Sequence, residues 1–391
     1  MRFTLPRDIY YGDNAIAELK NLRGKKAIVV TGGHAMQKFG FLDETVKELK
    51  AAGFEVKTIE GVENDPTVAT VKKGAEIMRE FQPDWIVAIG GGSPIDAAKA
   101  MWVLYEDPKA TLEELVAGKF PVLRQKAHFC AIGSTSGTGT EVTSFAVITD
   151  PEKGIKYPLA NFEITPDVAI VDPALPQTMP KNTVAWTGMD ALTHAIESYV
   201  STFATDFTDP LALKATRMVN ENILASYNGD KTARANMHYA QCIAGMAFTN
   251  ALLGITHSLA HKTGAAFSTG HVPHGCANAM YLPHTIECNA HDKRAHKRYA
   301  EIADYMGLGG NTENEKVQNL INRVRELDRD LNIPHGLKEF GVIEGEFLAK
   351  AKDIAHNAVL DACTPENPRK MDDELMLKVL KACYYDTVVD F

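Results

Sequence analysis

The sequence predicts an α/β domain with a mostly parallel sheet at residues 1–178, followed by an all-α domain at residues 179–391. Three observations predict this arrangement. Short apolar runs alternate with amphipathic helical patterns through the first half, prolines interrupt the chain at Pro173, Pro176 and Pro180, and helical patterns then continue almost to the end. Strands that alternate with helices indicate βαβ units, in which the strands pair in parallel.

The individual elements follow the period of the apolar residues. Short runs rich in apolar and β-branched residues predict strands at 27–31, 55–59, 85–89, 128–132, 145–149 and 168–171. Helix periodicity between these runs predicts helices at 43–52, 67–81 and 94–105. In the second half it predicts helices at 189–201, 209–226, 233–253, 293–306, 313–331, 345–355 and 372–384.

The composition is that of a globular protein, with 391 residues of which 45% are hydrophobic. A formal net charge of −9 argues against a nucleic-acid binder, which needs a basic surface. No apolar run is long enough to span a bilayer, and the first residues hold no stretch of signal-peptide length, so no membrane association is expected. The six cysteines form no C-x-x-C pair and predict reduced thiols in a cytoplasmic protein.

A glycine-rich turn, Gly90-Gly91-Gly92-Ser93-Pro94, follows the strand predicted at 85–89 and opens a helix. Ser93 is a favourable N-cap, Pro94 suits the first helical position, and Asp96 lies where a capping-box acid would. Free N–H groups and the helix dipole at such a start bind anions such as a pyrophosphate. The turn is neither G-x-G-x-x-G nor a Walker loop, so the mode of nucleotide binding differs from the usual dehydrogenase one.

A second polar loop, residues 133–143, follows the strand predicted at 128–132. Its glycines and hydroxyls, Thr135 and Thr138 among them, offer donors to phosphate or ribose oxygens. The alternative is a plain surface loop. Its place at the carboxyl end of a strand, where α/β sheets bind ligands, favours the binding role.

A group of histidines and one aspartate predicts a metal site. Asp190 and His194 lie four residues apart on one face of a predicted helix, which by itself indicates no more than an Asp–His hydrogen bond. Four of the thirteen histidines then fall within one short stretch: His257, His261, His271 and His274. Imidazole suits Fe, Zn, Cu or Ni, and a three-histidine, one-aspartate site with an open position suits Lewis-acid chemistry on a substrate oxygen.

With these motifs the sequence resembles the iron-containing (group III) alcohol dehydrogenases over essentially the whole chain. The resemblance is carried by Gly90–Asp96, Ser136–Thr143, Gly188–Glu197 and the histidine stretch at 257–275. It implies a dehydroquinate synthase-like fold with an N-terminal nucleotide-binding domain and a helical metal- and substrate-binding domain. It also implies a metal-dependent NAD(P)-linked alcohol dehydrogenase or aldehyde reductase acting on a small alcohol such as butanol, ethanol or a diol. It further implies a homodimer or a larger homo-oligomer.

The resemblance also implies roles for single residues. Fe(II), or Zn(II) by substitution, would be bound by Asp190, His194, His257 and His274. His261 matches a histidine near the substrate that is not a ligand, and it could relay the proton, as could Lys156 through the ribose hydroxyl. The cofactor would be bound by Gly91, Gly92, Ser93, Asp96, Thr135, Thr138 and Lys156.

One departure from the family pattern and two rival interpretations remain open at this point. Residues Ser268–Gly270 look inserted, which makes His271 a rival of His274 as the fourth ligand. A glycerol dehydrogenase-like or dehydroquinate synthase-like enzyme is the alternative of the same fold. The alternative from a different functional class is a protein of this fold that senses a nucleotide or a metal without catalysing a reaction.

The choice of cofactor is predicted from the loop after the strand at 27–31. NAD-preferring members of the family have an aspartate at about the position of Gly32, where it accepts hydrogen bonds from the adenosine ribose and repels a 2′-phosphate. Here Gly32 and Gly33 leave space and N–H groups for a phosphate, and His34 or Lys38 could add a positive charge. We therefore expect a preference for NADP(H), with use of both cofactors as the alternative.

Overall fold

A computed structural model describes residues 2–152 and 155–391. The chain divides into two compact units, Met1–Met179 and Pro180–Phe391, each with its own internal contacts. The first unit is α/β and the second is helical, so the predicted fold class is confirmed.

The first unit is built on a six-stranded parallel sheet with the order β1-β8-β5-β4-β2-β3. Strands β6 and β7 form a separate antiparallel pair. The strands are β1 Asp8–Tyr11, β2 Lys26–Gly32, β3 Glu55–Val62, β4 Trp85–Gly90, β5 His128–Gly133, β6 Phe145–Asp150, β7 Ile155–Ala160 and β8 Val168–Val171. The helices are α1 Ala35–Lys38, α2 Phe41–Ala51, α3 Val68–Phe81, α4 Gly92–Glu106 and α5 Leu112–Val116.

Both faces of the central strands are buried. Ile28 and Val30 of β2 pack into one apolar cluster with residues of α3 and α4, whereas Ala27 and Val29 pack into a second cluster with residues of α2. Successive strand residues point to opposite faces, so a strand covered on both sides must be apolar throughout. This explains the unbroken apolar runs at 27–30 in β2, 85–89 in β4 and 129–132 in β5.

The strand order reverses between β2 and β4, because β3 continues the sheet on one side of β2 and the chain then returns to its other side. At such a switch point the loops that leave the two neighbouring strands diverge and open a crevice at their carboxyl ends. Gly32 ends β2 and Gly90 ends β4, so two of the predicted nucleotide loops border this crevice.

The second unit consists of ten helices within the described part of the chain. They are α6 Lys181–Val200, α7 Asp209–Tyr227, α8 Lys231–Ala251, α9 Ile255–Thr263, α10 His274–Asn289, α11 Lys293–Met306, α12 Glu313–Asp330, α13 Leu337–Phe340, α14 Glu344–Val359 and α15 Asp373–Tyr385. Helix α6 is central: it packs on α7, α8, α10 and α11, and residues 188–200 are all buried.

Among the described residues no single helix is both long and apolar enough to cross a bilayer. The pair α8 and α9 meets the length and composition criteria only when taken together, and the two helices meet at a bend of 103°.

Candidate nucleotide and metal sites

The glycine turn begins its helix earlier than the sequence predicts. Helix α4 begins at Gly92 with Gly91 as its N-cap, so the prediction that Ser93 caps the helix and Pro94 begins it is wrong. Gly90 has a φ of +148°, and a Cβ there would lie 2.5 Å from Cγ of Pro94. A glycine is therefore required for the sharp exit from β4, and the first N–H groups of α4 have no partners within the helix.

The glycine turn and the second polar loop meet at the carboxyl ends of β4 and β5. A Cβ on Gly91 would lie 3.2 Å from Cγ2 of Thr135, and a Cβ on Gly92 would lie 3.3 Å from Cγ2 of Thr138. Gly32 completes the group, since a Cβ there would lie 3.6 Å from a ring carbon of Pro94. The structure thus brings most of the predicted cofactor residues to one edge of the sheet. Around Gly33, a Cβ would meet no atom within 4 Å.

Asp96 bonds to the protein itself. One carboxylate oxygen accepts a hydrogen bond from the Thr140 hydroxyl at 2.8 Å and the other accepts one from the Val147 N–H at 3.0 Å. Burial raises the pKa of Asp96, while Lys99 and these two bonds oppose that rise. In this arrangement Asp96 shapes the polar loop rather than capping α4.

The described side-chain contact of Lys156 is with Asp65 and not with either of these two loops. It is on β7, 40% of its side chain is exposed, and its Nζ forms an ion pair with Oδ1 of Asp65 at 2.8 Å. The described contact of Lys156 is therefore with Asp65.

Three helices of the second unit bring the predicted metal ligands together. Asp190 and His194 lie on one face of α6, His257 lies on α9, and His274 is the first residue of α10. Asp190, His194 and His257 are each at most 5% exposed. Close approach of α10 to α6 depends on Gly275, where a Cβ would lie 2.2 Å from the carbonyl oxygen of Trp186.

The geometry of these groups fits one metal ion. Donor atoms of Asp190, His194 and His257 lie within 4.8 Å of one another. From Oδ1 of Asp190, Nε2 of His274 is 3.6 Å away and Nε2 of His257 is 3.7 Å away. Two ligands bound tetrahedrally at about 2.1 Å would be roughly 3.4 Å apart. Three imidazoles and a carboxylate therefore match a divalent ion such as Fe(II) or Zn(II).

A second carboxylate, Glu197, supports the ligand His257. Its Oε2 lies 2.6 Å from Nδ1 of His257, and its Oε1 accepts a hydrogen bond from the Thr256 N–H at 2.7 Å. A carboxylate on Nδ1 orients the ring and leaves Nε2 for the metal. Glu197 lies three residues after His194 on α6, but its partner His257 is distant in the sequence, so no role for Glu197 was predicted.

The charges around the cluster shift the pKa values of its members. Burial alone would raise the pKa of Asp190, but the surrounding histidines hold it well below its ordinary value. Burial alone would lower the pKa of His257, whereas Asp190 and Glu197 raise it to about 9. The two carboxylates therefore stabilise the charged form of this imidazole.

Asn278 is a further member of the cluster, and no role was predicted for it from the sequence. Its Nδ2 donates to Oδ1 of Asp190 at 2.8 Å and lies 3.1 Å from Nε2 of His257 and 3.2 Å from Nε2 of His274. It follows His274 by four residues on α10, so helical spacing was the available signal.

His261 lies beside the cluster and has its own carboxylate. Its ring stacks on that of His274 with centroids 5.4 Å apart, and its Nδ1 lies 3.1 Å from Oδ2 of Asp361. Lys262 forms an ion pair with the same oxygen at 2.7 Å. Burial would raise the pKa of Asp361, but His261 and Lys262 hold it well below its usual range. Asp361 thus remains charged and fixes the orientation of His261.

The residues predicted to be inserted begin with Ser268, which is attached to helix α14. Ser268 bonds through its N–H and its hydroxyl to the carboxylate of Glu346 on α14, at 2.9 and 2.6 Å. His271 is exposed, whereas His274 lies beside Asp190. The residues predicted to be inserted lie in an exposed turn, and the frame Pro273-His274-Gly275 is at the start of α10.

The fold and the two sites together indicate a class of enzyme. A crevice suited to a nucleotide in an α/β unit, together with three histidines and one carboxylate suited to a metal ion in a helical unit, is typical of a metal-dependent, nicotinamide-linked oxidoreductase.

Comparison with known proteins identifies the family within this class of oxidoreductases. Residues 6–173 match the family model "Iron-containing alcohol dehydrogenase" and residues 184–384 match "Fe-containing alcohol dehydrogenase family, C-terminal". The chain is 59% identical to NADPH-dependent butanol dehydrogenase of Clostridium saccharobutylicum, over 100% of both chains. It is 42% identical to the bifunctional aldehyde-alcohol dehydrogenase AdhE of Escherichia coli, over 97% of this chain and 46% of that protein. The structure of an iron-containing alcohol dehydrogenase from Thermococcus thioreducens superposes with a TM-score of 0.90 at 35% identity, covering 98% of this chain and 100% of that one.

The chain belongs to the iron-containing alcohol dehydrogenase family, and the predicted family is confirmed. It is a metal-dependent, NAD(P)-linked alcohol dehydrogenase or aldehyde reductase. It spans the whole of the butanol dehydrogenase but about half the length of the bifunctional relatives.

Proposed function

We propose that this protein uses NADPH and Fe(II) to reduce short aldehydes to primary alcohols, and that it catalyses the reverse oxidation. The observation that carries the proposal is the convergence of Asp190, His194, His257 and His274 beside a further histidine, His261. The relative named as an NADPH-dependent butanol dehydrogenase supports butanal and butanol as the substrate pair.

The four converging residues are the proposed metal ligands. Fe(II) bound there would supply a Lewis acid for the substrate oxygen, and reduced nicotinamide would supply the hydride. Glu197 keeps His257 oriented, because its carboxylate occupies the other ring nitrogen. His261, held at Nδ1 by Asp361, is left with Nε2 to exchange a proton with the substrate oxygen.

The cofactor is proposed to bind at the carboxyl edge of the parallel sheet. The backbone N–H groups of Gly91, Gly92 and Ser93 would bind the pyrophosphate, and the hydroxyls of Thr135 and Thr138 would add donors. Lys156 would have to leave its ion pair with Asp65 to reach the nicotinamide ribose.

The preference for NADPH rests on the end of β2. Gly32 presents no carboxylate to repel a 2′-phosphate, and Gly33 has open space around it. The printed name of the 59% identical relative supports the same preference.

Three further properties are part of the proposal. Residues 1–178 would form the cofactor-binding domain and 179–391 the metal- and substrate-binding domain. The protein would be a cytoplasmic homodimer or larger homo-oligomer. Light scattering on the purified protein and fractionation of the source cells test the last two properties.

The proposed activity is tested with a kinetic panel of short and long aldehydes, each assayed with NADPH and with NADH. We expect the highest kcat/KM for a short aldehyde with NADPH. An iron-loaded protein that oxidises neither cofactor with any aldehyde would contradict the proposal.

A further inference from the structure

Lys99 of α4 is fully buried although it carries a charge, and the proposed chemistry does not use it. Its Nζ lies 2.8 Å from the carbonyl oxygen of Thr140 and 2.9 Å from those of Thr143 and Phe145. The hydroxyls of Thr140 and Thr143 are 3.2 and 3.3 Å away. An ammonium group has three protons to donate, so it can satisfy the three carbonyls together.

These carbonyls lie where the polar loop ends. The loop closes in a short 3-10 turn at Thr140–Val142, and β6 begins at Phe145. Carbonyl groups that turn inward at such a point need a buried donor, because an unpaired backbone group away from water is strongly unfavourable. Lys99 is the donor that the structure provides for all three.

Asp96 completes the attachment of this loop to α4. It precedes Lys99 by three residues, so the two side chains share one helix face. Asp96 accepts from the Thr140 hydroxyl and from the Val147 N–H. A cation and an anion on the same helix therefore hold the loop from residue 140 to residue 147.

The same helix also carries the glycine turn. Gly92 is the first residue of α4, and a Cβ there would lie 3.3 Å from Cγ2 of Thr138 in the polar loop. The contacts of Lys99 and Asp96 thus set the spacing between the glycine turn and Thr138, the two features on which the proposed cofactor site depends.

We propose that Lys99 is a positioning residue for the nicotinamide cofactor: its ammonium group fixes the loop of residues 133–143 over the glycine turn, and tight cofactor binding depends on it. The inference rests on the proposed cofactor site and deepens it.

The charge state of Lys99 at neutral pH agrees with this role. Burial lowers the pKa of Lys99 to about 8, while the carboxylates of Asp96 and Glu141 oppose that shift. The protonated form, with three donors for three carbonyls, therefore still predominates at neutral pH.

The test compares Lys99→Gln and Lys99→Met with Lys47→Met, a control at a lysine whose side chain is 78% exposed on α2. NADPH dissociation constants are measured by fluorescence titration on the full, iron-loaded chain, with iron content and Tm as checks on folding. Hydrogen–deuterium exchange is followed in residues 134–145 and, for comparison, in β4.

We expect the dissociation constant and the KM for NADPH to rise by roughly tenfold or more in Lys99→Met, which is about 1.4 kcal/mol or more. The rise should be smaller in Lys99→Gln, whose amide still donates two hydrogen bonds. The kcat at saturating NADPH and the iron content should stay close to those of Lys47→Met, and exchange should rise in the loop but not in β4.

An unchanged dissociation constant in either folded variant, or faster exchange throughout the sheet, would overturn the proposal. If neither variant folds, the wild type decides: its NADPH affinity must fall between about pH 7 and about pH 9 as the amine loses its proton, and a constant affinity would overturn the proposal. A wild type that binds neither NADPH nor NADH would instead contradict the proposed function.

Discussion

His271 and His274 are separated by only three positions, yet their surroundings differ. His274 lies 3.6 Å from the carboxylate of Asp190 and stacks on His261, whereas His271 is exposed beside the inserted turn. From the sequence alone, either residue could have been the fourth ligand, because the insertion shifts the spacing from His257. The intact Pro273-His274-Gly275 frame favours His274, and the position of His274 beside Asp190 supports that prediction.

The first prediction separates these two histidines. His274→Ala should lose most of its bound iron, because the variant removes one of the four ligand groups, and His271→Ala should retain it. Metal content after extensive dialysis, measured on both variants and on wild type, is the readout. Loss of iron from His271→Ala with retention in His274→Ala would show that the insertion has been aligned wrongly.

His261 gives the second prediction at this scale. His261→Ala should keep its iron and lose about 10²–10⁴-fold in kcat, the usual contribution of a positioned proton-transfer group. Iron content and steady-state kinetics are measured together. Equal kcat in the variant and the wild type would show that His261 only packs beside the cluster and takes no part in proton transfer.

Gly32 gives the third prediction. Gly32→Asp should shift the ratio of kcat/KM for NADPH and NADH toward NADH by roughly tenfold, about 1.4 kcal/mol, because the new carboxylate repels a 2′-phosphate. Gly32→Ala is the matched control, since both variants introduce the Cβ that would lie 3.2 Å from the carbonyl oxygen of Val62. An identical shift in both variants would trace the effect to packing rather than charge.

Among the secondary-structure elements, α6 and α10 together form the core of the metal site. Gly275 lets the start of α10 approach α6, since a Cβ there would lie 2.2 Å from a backbone oxygen of Trp186. A backbone group cannot move aside as a flexible side chain can. A larger residue at position 275 must therefore push the start of α10, which carries His274, away from α6.

The fourth prediction tests this helix contact. Gly275→Ala should lower the free energy of unfolding by about 1–3 kcal/mol and weaken iron binding as well. Gly345→Ala is the matched control: it is also near the start of a helix, α14, and its Cβ would meet no atom within 4 Å. Thermal unfolding and metal titration of both variants are the measurements, and Gly275→Ala behaving like the control would refute the close contact.

The elements also differ in how well the sequence predicted them. Strands β2, β4 and β5 were predicted within about one residue, because each is buried on both faces and ends at a turn. The short edge strand β1 was missed because it is half exposed, and β7 because it contains Pro158. Strand β6 was predicted but pairs with β7 outside the main sheet.

Helices α9 and α10, which carry His257, His261 and His274, were not predicted as helices at all. Helix α9 has nine residues and follows Leu252, whose φ is +62°. Helix α10 contains Pro283 and is buried almost throughout, so it shows no polar face with a helical period. The three histidines on these two helices were therefore found through the density of histidines in this stretch and through the family motifs, not through helical periodicity.

The partners of the site residues could not be predicted for a different reason. Glu197 is sixty positions from His257 and Asp361 is one hundred from His261. Such pairs meet only after folding, and local spacing does not indicate them. The same holds for Lys99, whose three carbonyl partners lie more than forty positions away.

At the scale of the whole molecule, we propose that one chain combines a nicotinamide cofactor site in its α/β unit with an iron site in its helical unit. Each of the two sites can then be disabled without loss of the other. Removal of iron should abolish aldehyde reduction without abolishing NADPH binding, because the cofactor residues and the metal ligands belong to different units.

The most direct test is metal reconstitution. The protein is stripped of metal with a chelator, NADPH binding is measured, and butanal-dependent NADPH oxidation is followed while Fe(II) is added under anaerobic conditions. We predict that the stripped protein binds NADPH but does not oxidise it, and that activity rises linearly to a plateau at one Fe(II) per chain. Full activity in the stripped protein, or no activity at any metal loading while NADPH remains bound, would contradict the account.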